Sequence, residues 1–196
     1  MSDGIELKHF SVGSMDNNVY ILVNPATGDS VLFDAPTNAP RILRELEGTQ
    51  LQAILMTHTD MDHVQALNEI VKATGAPVGV HPLDANRLPR KPDFSIEDGE
   101  EFEFGGIRLR AFHTPGHSPG GIAFVTDGIL IAGDVLFPGG PGNTQRPDGS
   151  FEQIIDSIRT KLFVLPNETK VYPGHGKSTT IGAEKPHLQE WIDRGW

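Results

Sequence analysis

The sequence predicts an α/β protein in which sheets are covered by helices, and three observations predict it. Short apolar runs rich in Val, Ile and Leu recur between Gly, Pro and Asp residues, as strands do. Segments with helical spacing of apolar residues lie between several of them. The tetrad Thr126-Asp127-Gly128-Ile129 is a tight-turn signal joining two runs, so the second half of the chain begins as an antiparallel meander.

In chain order, strands are expected over residues 18–24, 30–34, 51–57, 106–112, 121–126 and 128–132, with another around Val171 and Tyr172. The first helix falls over residues 39–46, where Ile42, Leu43 and Leu46 share a face, and a second covers residues 63–73. A third runs over residues 151–163, because Ile154, Ile155, Ile158 and Leu162 repeat at helical spacing. Residues 138–149, reading PGGPGNTQRPDG, form the one long Gly/Pro-rich loop; it follows Asp134 closely and is a candidate lid or specificity loop. No repeat, low-complexity run or linker-like break divides the chain. Its 196 residues, 37% of them hydrophobic, are therefore expected to form one domain over residues 1–196.

Composition narrows the function. No apolar run is long enough to cross a bilayer, and Met1-Ser2-Asp3-Gly4 lacks a basic region followed by an apolar one, so a cytoplasmic protein is expected. The absence of cysteine excludes disulfides, zinc ribbons and thiol nucleophiles, leaving catalysis to oxygen and nitrogen groups. A formal charge of -10 argues against tracking a phosphate backbone, the one local basic cluster being Arg87, Arg90 and Lys91. The expected partner is a small-molecule substrate, with no nucleic acid and no membrane.

Four motifs carry the chemistry. In Thr57-His58-Thr59-Asp60-Met61-Asp62-His63, residues alternate sides at a strand end, so His58 and Asp60 can point the same way and serve one ion. Asp62 and His63 fall where the chain turns into a helix and can face a second ion. The competing reading is that Asp60 and Asp62 cap that helix while His58 is a polar loop residue. In Thr114-Pro115-Gly116-His117-Ser118-Pro119-Gly120, prolines and glycines fix an irregular backbone around His117, which is either a ligand or part of a surface turn. Asp134 closes an apolar strand through Gly133, and a carboxylate there needs a strong partner. His175, in Pro173-Gly174-His175-Gly176, follows another strand in the same manner.

These motifs, in this order, resemble the metallo-β-lactamase superfamily, and more closely its glyoxalase II-like hydrolases. The resemblance implies a four-layer αβ/βα sandwich with two divalent metal ions at one edge, zinc first and iron or manganese as alternatives. It also implies the ligand roles: His58, Asp60 and His117 on one ion, Asp62, His63 and His175 on the other, and Asp134 bridging. The superfamily's usual pattern is His-x-His-x-Asp-His, so Asp60 stands where a histidine is normal. A carboxylate favours harder ions, and the glutamate that flavodiiron proteins carry at this position is an analogy. The added negative charge is expected to weaken the Lewis acidity of the ion pair and move the activity optimum to alkaline pH.

The implied reaction is hydrolysis of an ester, thioester or lactone by a metal-bridging hydroxide, with Asp62 or Asp134 orienting the nucleophile. Glutathione is not inferred as the thiol, since the helical region with which glyoxalase II enzymes bind it is not expected in the few residues between His175 and Trp196. A second reading is a mononuclear non-haem iron dioxygenase of the persulfide dioxygenase type, because His58, His117 and Asp134 make a two-histidine, one-carboxylate set. A third is metal binding without turnover. Arg146 is expected to be a solvated loop arginine rather than a substrate contact, and Met61 to be apolar filler beneath the ions. His9, His81, His113 and His187 are expected to stay outside the site, Tyr172 to pack within its strand, and Asn143 to line the loop.

Overall fold

Strand β2 (Asn17–Val23) is buried along its whole length, and the destinations of its side chains define the layers. Val19, Ile21 and Val23 enter one hydrophobic core, whereas Tyr20 and Leu22, pointing the other way, enter a second. A strand covered on both faces loses the polar alternation of a surface strand, hence the near-continuous apolar runs of the sequence. The computed structural model describes residues 4–195; Met1, Ser2 and Asp3, on which part of the leader-free reading rests, and Trp196 lie outside the described residues.

Two six-stranded sheets result. The first joins β1 (Glu6–Val12), β2, β3 (Asp29–Phe33), β4 (Gln50–Leu55), β5 (Val78–Val80) and β6 (Phe94–Ser95) in that order, antiparallel up to β3 and parallel beyond it. The second has the order β14 (Thr179–Thr180), β13 (Lys170–Pro173), β10 (Ile129–Gly133), β9 (Ile122–Thr126), β8 (Ile107–His113) and β7 (Glu101–Phe104), with β10 and β13 its parallel pair. A two-stranded hairpin, β11 (Leu136–Phe137) with β12 (Gly140–Pro141), opens the long loop.

One core lies between the sheets, where Phe33 and Leu55 meet Leu109, Phe124 and Ile131. The outer face of the first sheet packs on α1 (Ala39–Leu46) and α3 (Leu67–Thr74) through Ile42, Leu46, Leu67 and Ile70. On the other side, Leu130 and Ala132 meet Ile154 and Ile155 of α4 (Phe151–Ser157) and Trp191 of α6 (Leu188–Arg194). Helix, sheet, sheet and helix stack as the expected sandwich. No helix among the described residues is long and apolar enough to cross a membrane.

The expected strands and the first helix lie where the sequence puts them, within a residue or two at each end. The turn at Thr126 to Ile129 joins β9 to β10 with Asp127 and Gly128 both at positive φ, as a two-residue hairpin turn requires. The helix expected over residues 63–73 is divided into α2 (Met61–Val64) and α3. The Ala66 amide donates to the carbonyls of Ala35 and Pro36 instead of continuing the helical ladder. The helix from Phe151, capped by the Ser150 hydroxyl, widens into a π turn over Ile158–Leu162. Strands β1 and β7 escaped the sequence reading because each lies at a sheet edge and is only partly buried. Two further elements, α5 (Ile181–Glu184) and α6, complete the C-terminal part.

The sandwich gathers loop ends at one edge. The Ile122 amide donates to the Thr57 carbonyl (2.7 Å), tying β9 to the segment after β4. Parallel pairing of β10 with β13 brings Asp134 beside Gly174, whose amide donates to the Gly133 carbonyl (2.8 Å). Gly116 presses its loop onto α4; its φ is 134°, and a Cβ there would overlap the Ile154 backbone. Replacing it with alanine is therefore expected to lower unfolding free energy by about 3 kcal/mol, read as the urea midpoint; an unchanged midpoint would contradict this packing.

Candidate metal centre

Each histidine of the four motifs is fixed at Nδ1 and presents Nε2 to a common space. His58 Nδ1 lies 3.0 Å from the Thr57 hydroxyl, His63 Nδ1 lies 2.9 Å from Asp34 Oδ2, and His117 and His175 reach the backbone carbonyls of Asn143 and Met15 at 2.8 Å. A carbonyl only accepts, so His117 and His175 donate through Nδ1–H and the neutral ring keeps its lone pair on Nε2. The Thr57 hydroxyl donates to Asp34 Oδ2 at 2.7 Å and so accepts from His58. Imidazoles prepared in this way are the usual arrangement around bound metals.

The Nε2 atoms and carboxylates form two groups. In the first, Asp60 Oδ2 is 3.8 Å from His58 Nε2 and 3.2 Å from His117 Nε2. In the second, His175 Nε2 is 3.2 Å from His63 Nε2 and 3.3 Å from Asp62 Oδ2. Asp134 stands between them, its Oδ2 3.7 Å from His117 Nε2 and 3.5 Å from His175 Nε2. Two donors at zinc distance from one tetrahedral centre lie about 3.4 Å apart, so both groups have the span to hold a divalent ion.

Burial and charge agree with that use. His58 and His63 are 2% and 0% exposed, and His58 Nε2 and Asp134 Oδ1 are buried without a hydrogen-bond partner among the described residues. Burial, with His63 and His117 nearby, pushes His58 well below its usual value and keeps it neutral. Burial raises the Asp134 carboxyl, which the neighbouring imidazoles do not fully offset. Burial would also lower His63, yet Asp34, Asp134 and Asp62 push it up to about 9. The cluster thus demands positive charge, and a donor set of nitrogen and oxygen atoms suits zinc, iron or manganese.

All seven residues marked by the sequence, His58, Asp60, Asp62, His63, His117, Asp134 and His175, come together here. The capping reading does not hold: Asp60 occupies the N-cap position of α2 but makes no cap hydrogen bond. Asp62 instead accepts from Asn17 Nδ2 at 2.8 Å. His117 is 7% exposed rather than part of a surface turn. The glycine of Pro173-Gly174-His175 has a reason, since a Cβ there would overlap Asp134 Oδ1.

Two expectations are corrected. Arg146 is not a solvated loop arginine: both its terminal nitrogens bond Asp60, Nη2 reaching Oδ1 at 2.8 Å and Nη1 reaching Oδ2. The charge of Asp60 is what draws it in. Met61 is not filler beneath the donors, because it is 72% exposed; only its neighbours Asp60 and Asp62 turn inward. Sequence reading also missed Asp34, which accepts from the Thr57 amide (2.8 Å) and hydroxyl and from His63. It missed Arg87, which reaches Asp60 Oδ1 at 2.7 Å, and Asp148, which bonds both arginines at 2.8 Å. The alkaline expectation took the charge of Asp60 alone, whereas Arg87 and Arg146 both bond it. The signal for the arginines was the carboxylate itself, since an added buried charge calls for a cation.

The other histidines stay outside: His9 bonds Asn18 Oδ1, His81 and His113 stack on each other, and His187 pairs with Glu190. Tyr172 packs edge-on against Tyr20. Asn143 lines the site through its carbonyl, and the 138–149 loop does border it.

Known proteins are similar to this chain in sequence and in fold. The pattern of the metallo-beta-lactamase superfamily matches residues 12–175. The probable metallo-hydrolase YqgX of Bacillus subtilis is 33% identical over 91% of this chain and 93% of its own, and the hydroxyacylglutathione hydrolase GloC of Haemophilus influenzae is 34% identical over 80% and 84%. Among solved structures, the BLEG-1 B3 metallo-beta-lactamase superposes with a TM-score of 0.88 at 29% identity over 93% of this chain and 98% of its own. ETHE1 from Myxococcus xanthus does so with 0.85 at 27% over 93% and 83%, and TTHA1623 in a di-iron-bound form with 0.81 at 31% over 91% and 96%. With this fold and these motifs gathered at one edge of it, the chain belongs to the metallo-β-lactamase superfamily.

Proposed function

We propose that the protein is a metal-dependent hydrolase that cleaves an ester, thioester or lactone. The observation that carries the reading is the meeting of His63 Nε2 and His175 Nε2 at 3.2 Å, beside Asp62 and Asp134, with both rings held at Nδ1. Such a cluster is stable only around positive charge. His58, Asp60 and His117 form the first ligand group, Asp62, His63 and His175 the second, and Asp134 spans both. Divalent ions held there supply Lewis acidity toward a carbonyl and make water nucleophilic near neutral pH.

The chain's own part is positioning and proton acceptance. Asn17 fixes the orientation of Asp62, leaving that carboxylate directed at His63 and His175. Asp134 places its Oδ2 between the two groups, where that oxygen can accept a proton from an attacking water. Asp34 locks His58, through Thr57, and His63. Thioester hydrolysis is the variant supported by the relative named hydroxyacylglutathione hydrolase.

An iron dioxygenase is the second reading. It is favoured by the engagement of Asp60 with two arginines, which leaves His58, His117 and Asp134 as a two-histidine, one-carboxylate set. Purified protein is expected to hydrolyse thioesters or lactones under nitrogen, to lose the activity on treatment with a chelator and to regain it with zinc or manganese. Turnover that consumes oxygen and requires iron would instead establish the second reading. Asp34→Ala leaves the Thr57 and His63 donors buried without an acceptor. It should destabilise the metal-free protein by about 3 kcal/mol and weaken ion retention about 10- to 100-fold, measured by urea unfolding and elemental analysis; wild-type values for both would remove Asp34 from this role.

A further inference from the structure

The two ligand groups differ in one respect that concerns loading. Arg146 Nη1 bonds Asp60 Oδ2 and lies 3.2 Å from His117 Nε2, so one guanidinium nitrogen engages two of the three donors of the first group. His117 donates its Nδ1–H to the Asn143 carbonyl, so the Nε2 lone pair of the neutral ring, the one an ion would use, faces Arg146. Among the described residues no arginine or lysine reaches the second group: the non-histidine side-chain donor to Asp62 is the neutral amide of Asn17.

Resting on the metal reading above, we propose that the Arg146 guanidinium occupies the cation position of the group formed by His58, Asp60 and His117. A metal ion loads there only by displacing it, and the group of Asp62, His63 and His175 is the tighter of the two. The displaced arginine has a place to go. Its Nε already bonds Asp148 at 2.8 Å, and Asp148 is held by Arg87 at 2.8 Å, so the side chain can turn outward without losing every anionic partner. Arg87 touches Asp60 on Oδ1 alone and takes no donor from an ion directed at Oδ2. Because Arg146 and Asn143 both belong to the 138–149 loop and both touch His117, filling the first group also loosens one of the loop's two attachments to it.

The test is to titrate metal-free protein with zinc, and separately with manganese, by calorimetry, and to count ions by elemental analysis after desalting. Wild type should hold one ion tightly and a second at least about tenfold more weakly, the equivalent of a charge-assisted hydrogen bond lost on loading. Arg146→Ala, and Arg146→Gln as a gentler change, should narrow that gap by about tenfold and retain two ions. Two equal sites in wild type would overturn the proposal, as would loss of the second ion in Arg146→Ala, which would make the arginine a support. Arg87→Ala should narrow the gap less; an equal effect would indicate a general charge effect and overturn displacement. Wild type retaining no ion at all would remove the metal reading itself, an outcome distinct from the others.

Discussion

Too many hydrogen-bond acceptors and too few protons meet at the edge of this sandwich, and the surrounding structure is organised around that shortage. Four imidazoles spend Nδ1 on neighbours, so their Nε2 atoms converge with the carboxylates of Asp60, Asp62 and Asp134 within 3.2–3.8 Å. Two carboxylates about 4 Å apart near a protein surface repel by roughly 4 kcal/mol. The whole stability of a domain is about 5–15 kcal/mol, so an uncompensated cluster of this kind would consume much of it. Positive charge at the centre turns the same repulsion into attraction.

The sandwich can hold such a cluster because its anchors are backbone and buried groups rather than flexible side chains. His117 and His175 are tied to main-chain carbonyls on loops that are themselves fastened to the sheets. Asp34, with φ of 58°, sits at the end of β3 and reaches across to the segment after β4, where one carboxylate takes the Thr57 amide, its hydroxyl and the His63 ring. Parallel pairing of β3 with β4 fixes the distance over which it reaches. A small error in strand register would therefore misplace two histidines at once, which couples the centre to the packing of the first sheet.

Much of this was legible in the sequence because the strands beside the centre are buried on both faces, and dense apolar runs are easily seen. The ligand candidates stood out for the same reason, as His58, Asp134 and His175 each interrupt or end an apolar stretch. What escaped depended on contacts distant in the chain. Nothing local about Asp34 separates it from any aspartate after a strand, and its role appears only when residues 57 and 63 fold over it. Met61 was misplaced because position within a motif does not settle which way a side chain turns on a four-residue helix. Arg87 and Arg146 are 59 residues apart in sequence, and only the fold brings both onto Asp60.

Those arginines change what the carboxylate at position 60 means. Asp60, Arg87, Arg146 and Asp148 form a closed ring of alternating charges that sums to zero. A histidine in place of Asp60 would leave two guanidinium groups facing one carboxylate at the mouth of a cationic centre, an arrangement repelled by any ion that bound. The aspartate and the arginines are therefore one substitution in physical terms. They give the first group a donor whose negative charge is already balanced, as an imidazole's neutrality would be. The difference is that the balancing charge is carried on a side chain of the loop that borders the site. An imidazole would hold its ion without reference to that loop, whereas Asp60 ties the electrostatics of the donor group to where Arg146 rests.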